Sequence, residues 1–188
     1  MPSHPIPRQR GSFERTRDHW WWREGWGPGT RYLTWHLTFE VATALHEAAQ
    51  RAGEALRTVA GVDVVPVEWL HLTMTGVGHS GDLDPATLNE HVDSVFSAAS
   101  HASIVPLVFD RLFIYQEGLC LSATSPGLQE LRKLQGELVS AAGGPAPDPD
   151  EVFYPHVSLG YFSQEISEEA LSDALELADL HQVVVVSP

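Results

Sequence analysis

LHLTM at 70–74 and PHVSL at 155–159 each set a histidine two residues before a hydroxyl inside a short apolar run, and WHLTF at 35–39 does the same a third time. Side chains at i and i+2 of a strand share a face, so His71 projects beside Thr73, His156 beside Ser158 and His36 beside Thr38. The elements around each copy decide which of them belong together.

Working outward from the first stretch, Leu33, Trp35, Leu37 and Phe39 alternate with Tyr32, Thr34, His36 and Thr38, which is strand periodicity. Residues 41–57 then repeat Val41, Leu45, Ala48, Ala52 and Leu56 at helical spacing. A β-rich run covers 62–74. Asp84-Pro85 supplies a cap and a first-turn proline for a helix that turns Leu88, Val92, Val95, Phe96 and Ala99 inward.

Around the second stretch the order recurs. Apolar runs at 104–114 and 119–123, with Glu117-Gly118 between them, predict a hairpin, and Ser125-Pro126 opens a helix carrying Leu128, Leu131, Leu134 and Leu138. A Gly/Pro/Asp loop at 143–150 leads into the strand with His156. Ser167, followed by Glu168 and Glu169, starts a last helix through Leu171, Leu175 and Ala178, and 183–186 is a final strand. Each half therefore reads strand, helix, strand with His-x-Thr/Ser, helix. His71 and His156 fall on corresponding strands. His36 lies on the strand before the helix, and its counterpart, LCLSAT at 119–124, holds no histidine, so His36 is the odd copy.

If the two corresponding strands meet about a pseudo-two-fold axis, two imidazoles and two hydroxyls converge. Imidazole titrates near neutrality, so one ring can take a proton from water while the other protonates a leaving oxygen. The hydroxyls of Thr73 and Ser158 can hydrogen-bond the non-bridging oxygens of a phosphoryl group. No metal or other cofactor is required. A metal site on His36, His71 and His156 is the rival chemistry, and it lacks the carboxylate or cysteine partners a closed site needs.

The 188 residues suit one domain, residues 31–188, preceded by a Pro-, Gly- and Trp-rich arm over 1–30 that contains HWWWREGW at 19–26. One cysteine, Cys120, excludes an internal disulfide, and no long apolar span or leader is evident, so the expected setting is cytoplasmic, away from membranes. Twenty-five acidic residues against eleven Lys and Arg give a net charge of −14, which repels long nucleic acid unless a local patch overrides it. Walker, HExxH and GxSxG signatures are missing.

LHLTM with Gly76 and Gly78 behind it, and PHVSLGY at 155–161, resemble the two signature motifs of the 2H phosphoesterases, the superfamily of 2′-5′ RNA ligase-like proteins and 2′,3′-cyclic nucleotide phosphodiesterases. The element order is similar over roughly 31–187. The resemblance implies an α+β fold of two pseudo-symmetric lobes, each an antiparallel sheet with helices on its outer face, the sheets facing each other across a cleft. It carries His71, Thr73, His156 and Ser158 over as catalytic residues, and implies a monomer that opens 2′,3′-cyclic phosphates of a small nucleotide or short RNA end, or runs the reverse 2′-5′ ligation. A non-catalytic nucleotide- or RNA-end-binding module of the same fold is the alternative.

His36, Tyr161 and Arg31 are the expected substrate-binding residues, with Arg111 a further cationic candidate. Each has a plainer reading. His36 could be an exposed strand histidine. Tyr161, three residues past Ser158, falls on the opposite strand face unless a bulge at Gly160 re-aims it. The tryptophans at 20–22 and 26 could stack a base, but packing the arm onto the body is the commoner role. His101-Ala-Ser103 reads as a chance match, Cys120 as a small buried hydrophobe, and His79, His91 and His181 as solvated.

Overall fold

A computed structural model describes residues 6–100, 106–125, 127–141 and 152–185. Its strands are β1 (Arg8–Arg10), β2 (Tyr32–Thr38), β3 (Val62–Val64), β4 (His71–His79), β5 (Leu107–Tyr115), β6 (Gly118–Thr124), β7 (His156–Phe162) and β8 (Val183–Val185). Its helices are α1 (Thr43–Leu56), α2 (Pro85–Ser100), α3 (Leu128–Ala141) and α4 (Glu168–Leu177). The expected elements are all present, which makes the fold α+β. The loop at 143–150 and the His101-Ala-Ser103 match lie outside the described residues.

The strands expected in two facing sheets form one hydrogen-bonded path, β1-β5-β6-β7-β4-β2, with β3 on β7 and β8 on β5. All described pairings are antiparallel except that of β1 with β5, so the sheet is mixed. One residue pair, Leu72 with Val157, joins the half that carries β2 and β4 to the half that carries β5, β6 and β7. Both side chains are fully buried. Burying an aliphatic side chain of this size contributes about 1.5–3 kcal/mol, so the joint is held by the core beneath it as much as by its short ladder.

Helix caps follow the sequence. The Asp84 carboxylate accepts from the Thr87 amide at 2.9 Å, and the Ser167 hydroxyl accepts from the Ala170 amide at 3.4 Å. Helix α1 buries an alanine-rich face and packs on β3, β7, β8 and α4. Gly53 permits that approach, since a Cβ there would lie 2.9 Å from Val64.

Three expectations about burial fail. Val41 precedes α1 and is 76% exposed, and Phe96, expected inward on α2, is 63% exposed. Phe96 instead sets its edge against Trp35, the ring centroids 5.8 Å apart. His91, expected in solvent, is buried, and its Nε2 accepts from the Trp35 indole N–H at 2.8 Å. An apolar surround disfavours the charged imidazole, so burial lowers the His91 pKa, against an opposing contribution from the Leu138 backbone.

Candidate active site

The Leu72–Val157 joint organises the site. Leu70 just before β4, Leu72 and Met74 on it, and Val157 and Leu159 on β7 point into the core, so His71, Thr73, His156 and Ser158 occupy the opposite face. They flank the joint on both sides. Diagonal neighbours in an antiparallel pair stand ~7–8 Å apart, a separation that a phosphate reached by two imidazoles can bridge.

Each histidine is anchored in the same way. His71 Nδ1 lies 2.8 Å from the Trp69 carbonyl oxygen, and His156 Nδ1 lies 2.7 Å from the Tyr154 carbonyl oxygen. A carbonyl only accepts, so Nδ1 carries the proton in both rings and each neutral ring keeps Nε2 as a base.

The ladders beside the two strands match position by position. Thr38 and Ser122 oppose His71 and His156, Leu37 and Leu121 oppose Leu72 and Val157, and His36 and Cys120 oppose Thr73 and Ser158. Both ladders then slip by one residue, at Met74 in β4 and at Leu159 in β7. The counterpart of His36 is therefore Cys120, which is buried and whose thiol pKa is pushed up to about 12 by burial.

The slip on β7 re-aims Tyr161. With Leu159, Gly160 and Phe162 buried, Tyr161 returns to the face of Ser158 and lines a groove of about 730 Å³ together with His156. His71 and Thr73 do not line that groove. His36 stacks on His71, with ring centroids 4.2 Å apart and planes 22° from parallel. Desolvation first, and the adjacent His71 second, lower the His36 pKa. Arg31 just precedes β2, at the end of the ladder where Tyr32 pairs with His79, and five strand residues from His36 correspond to roughly 17 Å. Among the expected binding residues, His36 and Tyr161 flank the histidine pair and Arg31 does not. Among the described residues no three His, Cys, Asp or Glu side chains group as metal ligands.

Several groove residues escaped the sequence. Tyr115 of β5 lies beside the Ser158 side chain in the groove, and burial raises its phenol pKa far above the usual value. Gly118 leaves room for it, since a Cβ there would lie 2.8 Å from the Tyr115 oxygen and 2.5 Å from the Gly160 carbonyl. His19 of the arm stacks on Tyr161 at 4.1 Å between centroids. Arg10 and Arg23 line the same groove, beside Arg111, the cation that the sequence offers. The one signal for the arm was its charge: five of the eleven cationic residues lie in 1–30, against three of the twenty-five acids.

Two of the arm's tryptophans are tied to the body through their indole N–H groups. Trp20 donates to Asp63 at 2.7 Å and Trp21 to Glu117 at 3.1 Å, while Trp26 stacks on Tyr32. Their rings nevertheless stay open to solvent, Trp22 at 64% exposure. Among the described residues no helix is long and apolar enough to cross a membrane.

Two solved structures are similar in fold. TT0787 of Thermus thermophilus superposes with a TM-score of 0.58 at 15% identity, covering 83% of this chain and 81% of its own. The conserved protein of unknown function ATU0111 from Agrobacterium tumefaciens gives 0.53 at 12% identity, covering 80% of this chain and 70% of its own. No curated protein matches the sequence. Residues 17–185 match the 2'-5' RNA ligase superfamily as a sequence family, and with the paired His-x-Thr/Ser strands in place the chain belongs to that superfamily.

Proposed function

We propose that the chain is a metal-independent phosphoesterase that opens 2′,3′-cyclic phosphates on nucleotides or short RNA ends. The observation that carries this reading is the matched pair of Nδ1 hydrogen bonds to the Trp69 and Tyr154 carbonyls, which leaves two Nε2 atoms on one face of the Leu72–Val157 joint. His156, neutral at Nε2, takes a proton from water as the water attacks phosphorus. His71, protonated at both nitrogens, gives its Nε2 proton to the departing ribose oxygen. Thr73 and Ser158 donate hydrogen bonds to the non-bridging oxygens as negative charge builds on them. The product is a phosphomonoester, written here as the 2′-phosphate. With the 5′-hydroxyl of a second ribose in place of water, His156 takes that hydroxyl's proton, His71 again protonates the departing ribose oxygen, and a 2′-5′ phosphodiester forms.

The experiment is a screen of 2′,3′-cyclic mononucleotides and 2′-5′-linked dinucleotides in excess EDTA, with the product isomer read by phosphorus NMR. A single phosphomonoester isomer formed at an undiminished rate in the chelator is expected. Loss of turnover in EDTA, restored by zinc or manganese, would replace the two-histidine mechanism with a metal one.

A further inference from the structure

The groove beside His156 carries more positive charge than the chemistry at one phosphorus calls for. Arg10 enters from β1, Arg23 from the arm and Arg111 from β5, all solvent-accessible at the rim of a space of about 730 Å³. Their partners are weak. Arg111 donates to the Gln9 side-chain oxygen at 3.2 Å, and Arg10 lies over Phe13, its guanidinium 3.9 Å from an exposed Glu168 carboxylate. Arg23 sits 5.7 Å from the Trp21 ring and 5.5 Å from the Trp26 ring, within cation–π range of both, and no described carboxylate pairs with it.

The acid that lines the groove, Glu117, is already engaged. It pairs with Arg17, accepts from the Trp21 indole and lies 3.3 Å from His19 Nδ1. Burial alone would raise its pKa, and these donors outweigh that and hold the carboxyl below its ordinary value. In a chain of net charge −14, three guanidinium groups around one cavity, with the nearby carboxylate neutralised, form an anion site.

Its volume lies within the range of small-ligand sites, roughly 300–1,000 Å³. Tyr161, Tyr115 and Tyr154 line it beside the arginines, giving aromatic surface for a ribose or base between two charged ends. Resting on the phosphoesterase reading above, we infer that the groove is a subsite for a second phosphate group: the substrate is a nucleotide bearing a phosphate beyond the reacting one, with that phosphate on Arg23 and Arg111 and the reacting phosphate at His71 and His156. Outside the arm, twenty-two acids face six cations, so a short phosphorylated end is accommodated where a long polyanion is repelled.

The test compares 2′,3′-cyclic AMP with its 5′-phosphorylated form by kcat/KM, in parallel with calorimetric binding of adenosine 3′-monophosphate and adenosine 3′,5′-bisphosphate. The added phosphate should raise kcat/KM and affinity by about 10–100-fold, an advantage that shrinks with salt. Arg23→Ala with Arg111→Gln should bring both ratios close to one, and Arg51→Ala, an exposed charge on α1 away from the groove, should leave them unchanged. Equal kcat/KM and affinity for the two members of each pair, or ratios that survive the double substitution, overturn the subsite. If neither cyclic nucleotide turns over while the bisphosphate binds preferentially through Arg23 and Arg111, the catalytic reading falls and the subsite stands.

Discussion

The two halves of the site share a backbone and differ in what surrounds it. In β4 and β7 the histidines, the hydroxyls, the paired core residues and the one-residue slips coincide, and both rings donate Nδ1–H to a carbonyl two residues upstream. Around that frame, His36 stands where the other half has Cys120. The matched slips likewise put Gly76 where the other half has Tyr161. The β7 half is walled by Tyr115, Tyr161 and the arm, while β4 offers a stacked imidazole and an exposed Thr73. The two halves keep one backbone and one His-x-Thr/Ser pair each, and differ in the side chains around it.

Breaking the symmetric part should cost most. His71→Ala and His156→Ala should each lower kcat by ~10²–10⁴-fold with little change in affinity, measured by steady-state hydrolysis of a cyclic nucleotide. Thr73→Val and Ser158→Ala, which remove one donor to the phosphoryl oxygens, should cost ~10²–10³-fold in kcat. A large loss in one half with none in the other would mean that the halves are alike in backbone alone.

Changes confined to the asymmetric part should be smaller. Tyr115→Phe removes the phenol oxygen beside Ser158 and should lower kcat/KM a few-fold. Thr73 lies outside the groove that Tyr115 and Ser158 share, so Thr73→Val combined with Tyr115→Phe should be close to additive, whereas Ser158→Ala should mask the tyrosine change. His36→Ala should act on KM more than on kcat. If it abolishes kcat as fully as His71→Ala, the strands are wrongly paired and WHLTF belongs to the chemistry.

The smallest effect is on stability. The folded-state pKa of His91 lies below its ordinary 6.5, so the unfolded chain binds the extra proton first as pH falls. Its contribution is intact above pH 6.5 and is lost below it. The thermal midpoint should decline from about pH 7 to about pH 5.5, and His91→Gln should flatten that slope. An unchanged slope would assign the acid sensitivity to other groups.

Much of the frame was legible because its signals are local. Alternation at 32–39 set β2, Asp84-Pro85 and Ser167 set two helix starts, and i to i+2 spacing put each histidine beside its hydroxyl. Tertiary geometry hid the rest. The slip at Leu159 that turns Tyr161 into the groove depends on β6 as a partner, and Tyr115 reaches Ser158 only because Gly118 has no side chain. His91 and Phe96 exchanged their expected environments because Trp35 offered one an indole N–H and the other an aromatic edge. Arg10 comes beside Arg111 only once β1 pairs with β5.

The most direct test of the two-histidine account is a double-substitution cycle on hydrolysis of a 2′,3′-cyclic nucleotide in EDTA, using His71→Ala, His156→Ala and the pair together. One proton-transfer unit predicts that each single change removes most of the turnover and that the pair costs far less than the product of the singles. Fully multiplicative losses, or a single variant with wild-type kcat, would contradict it.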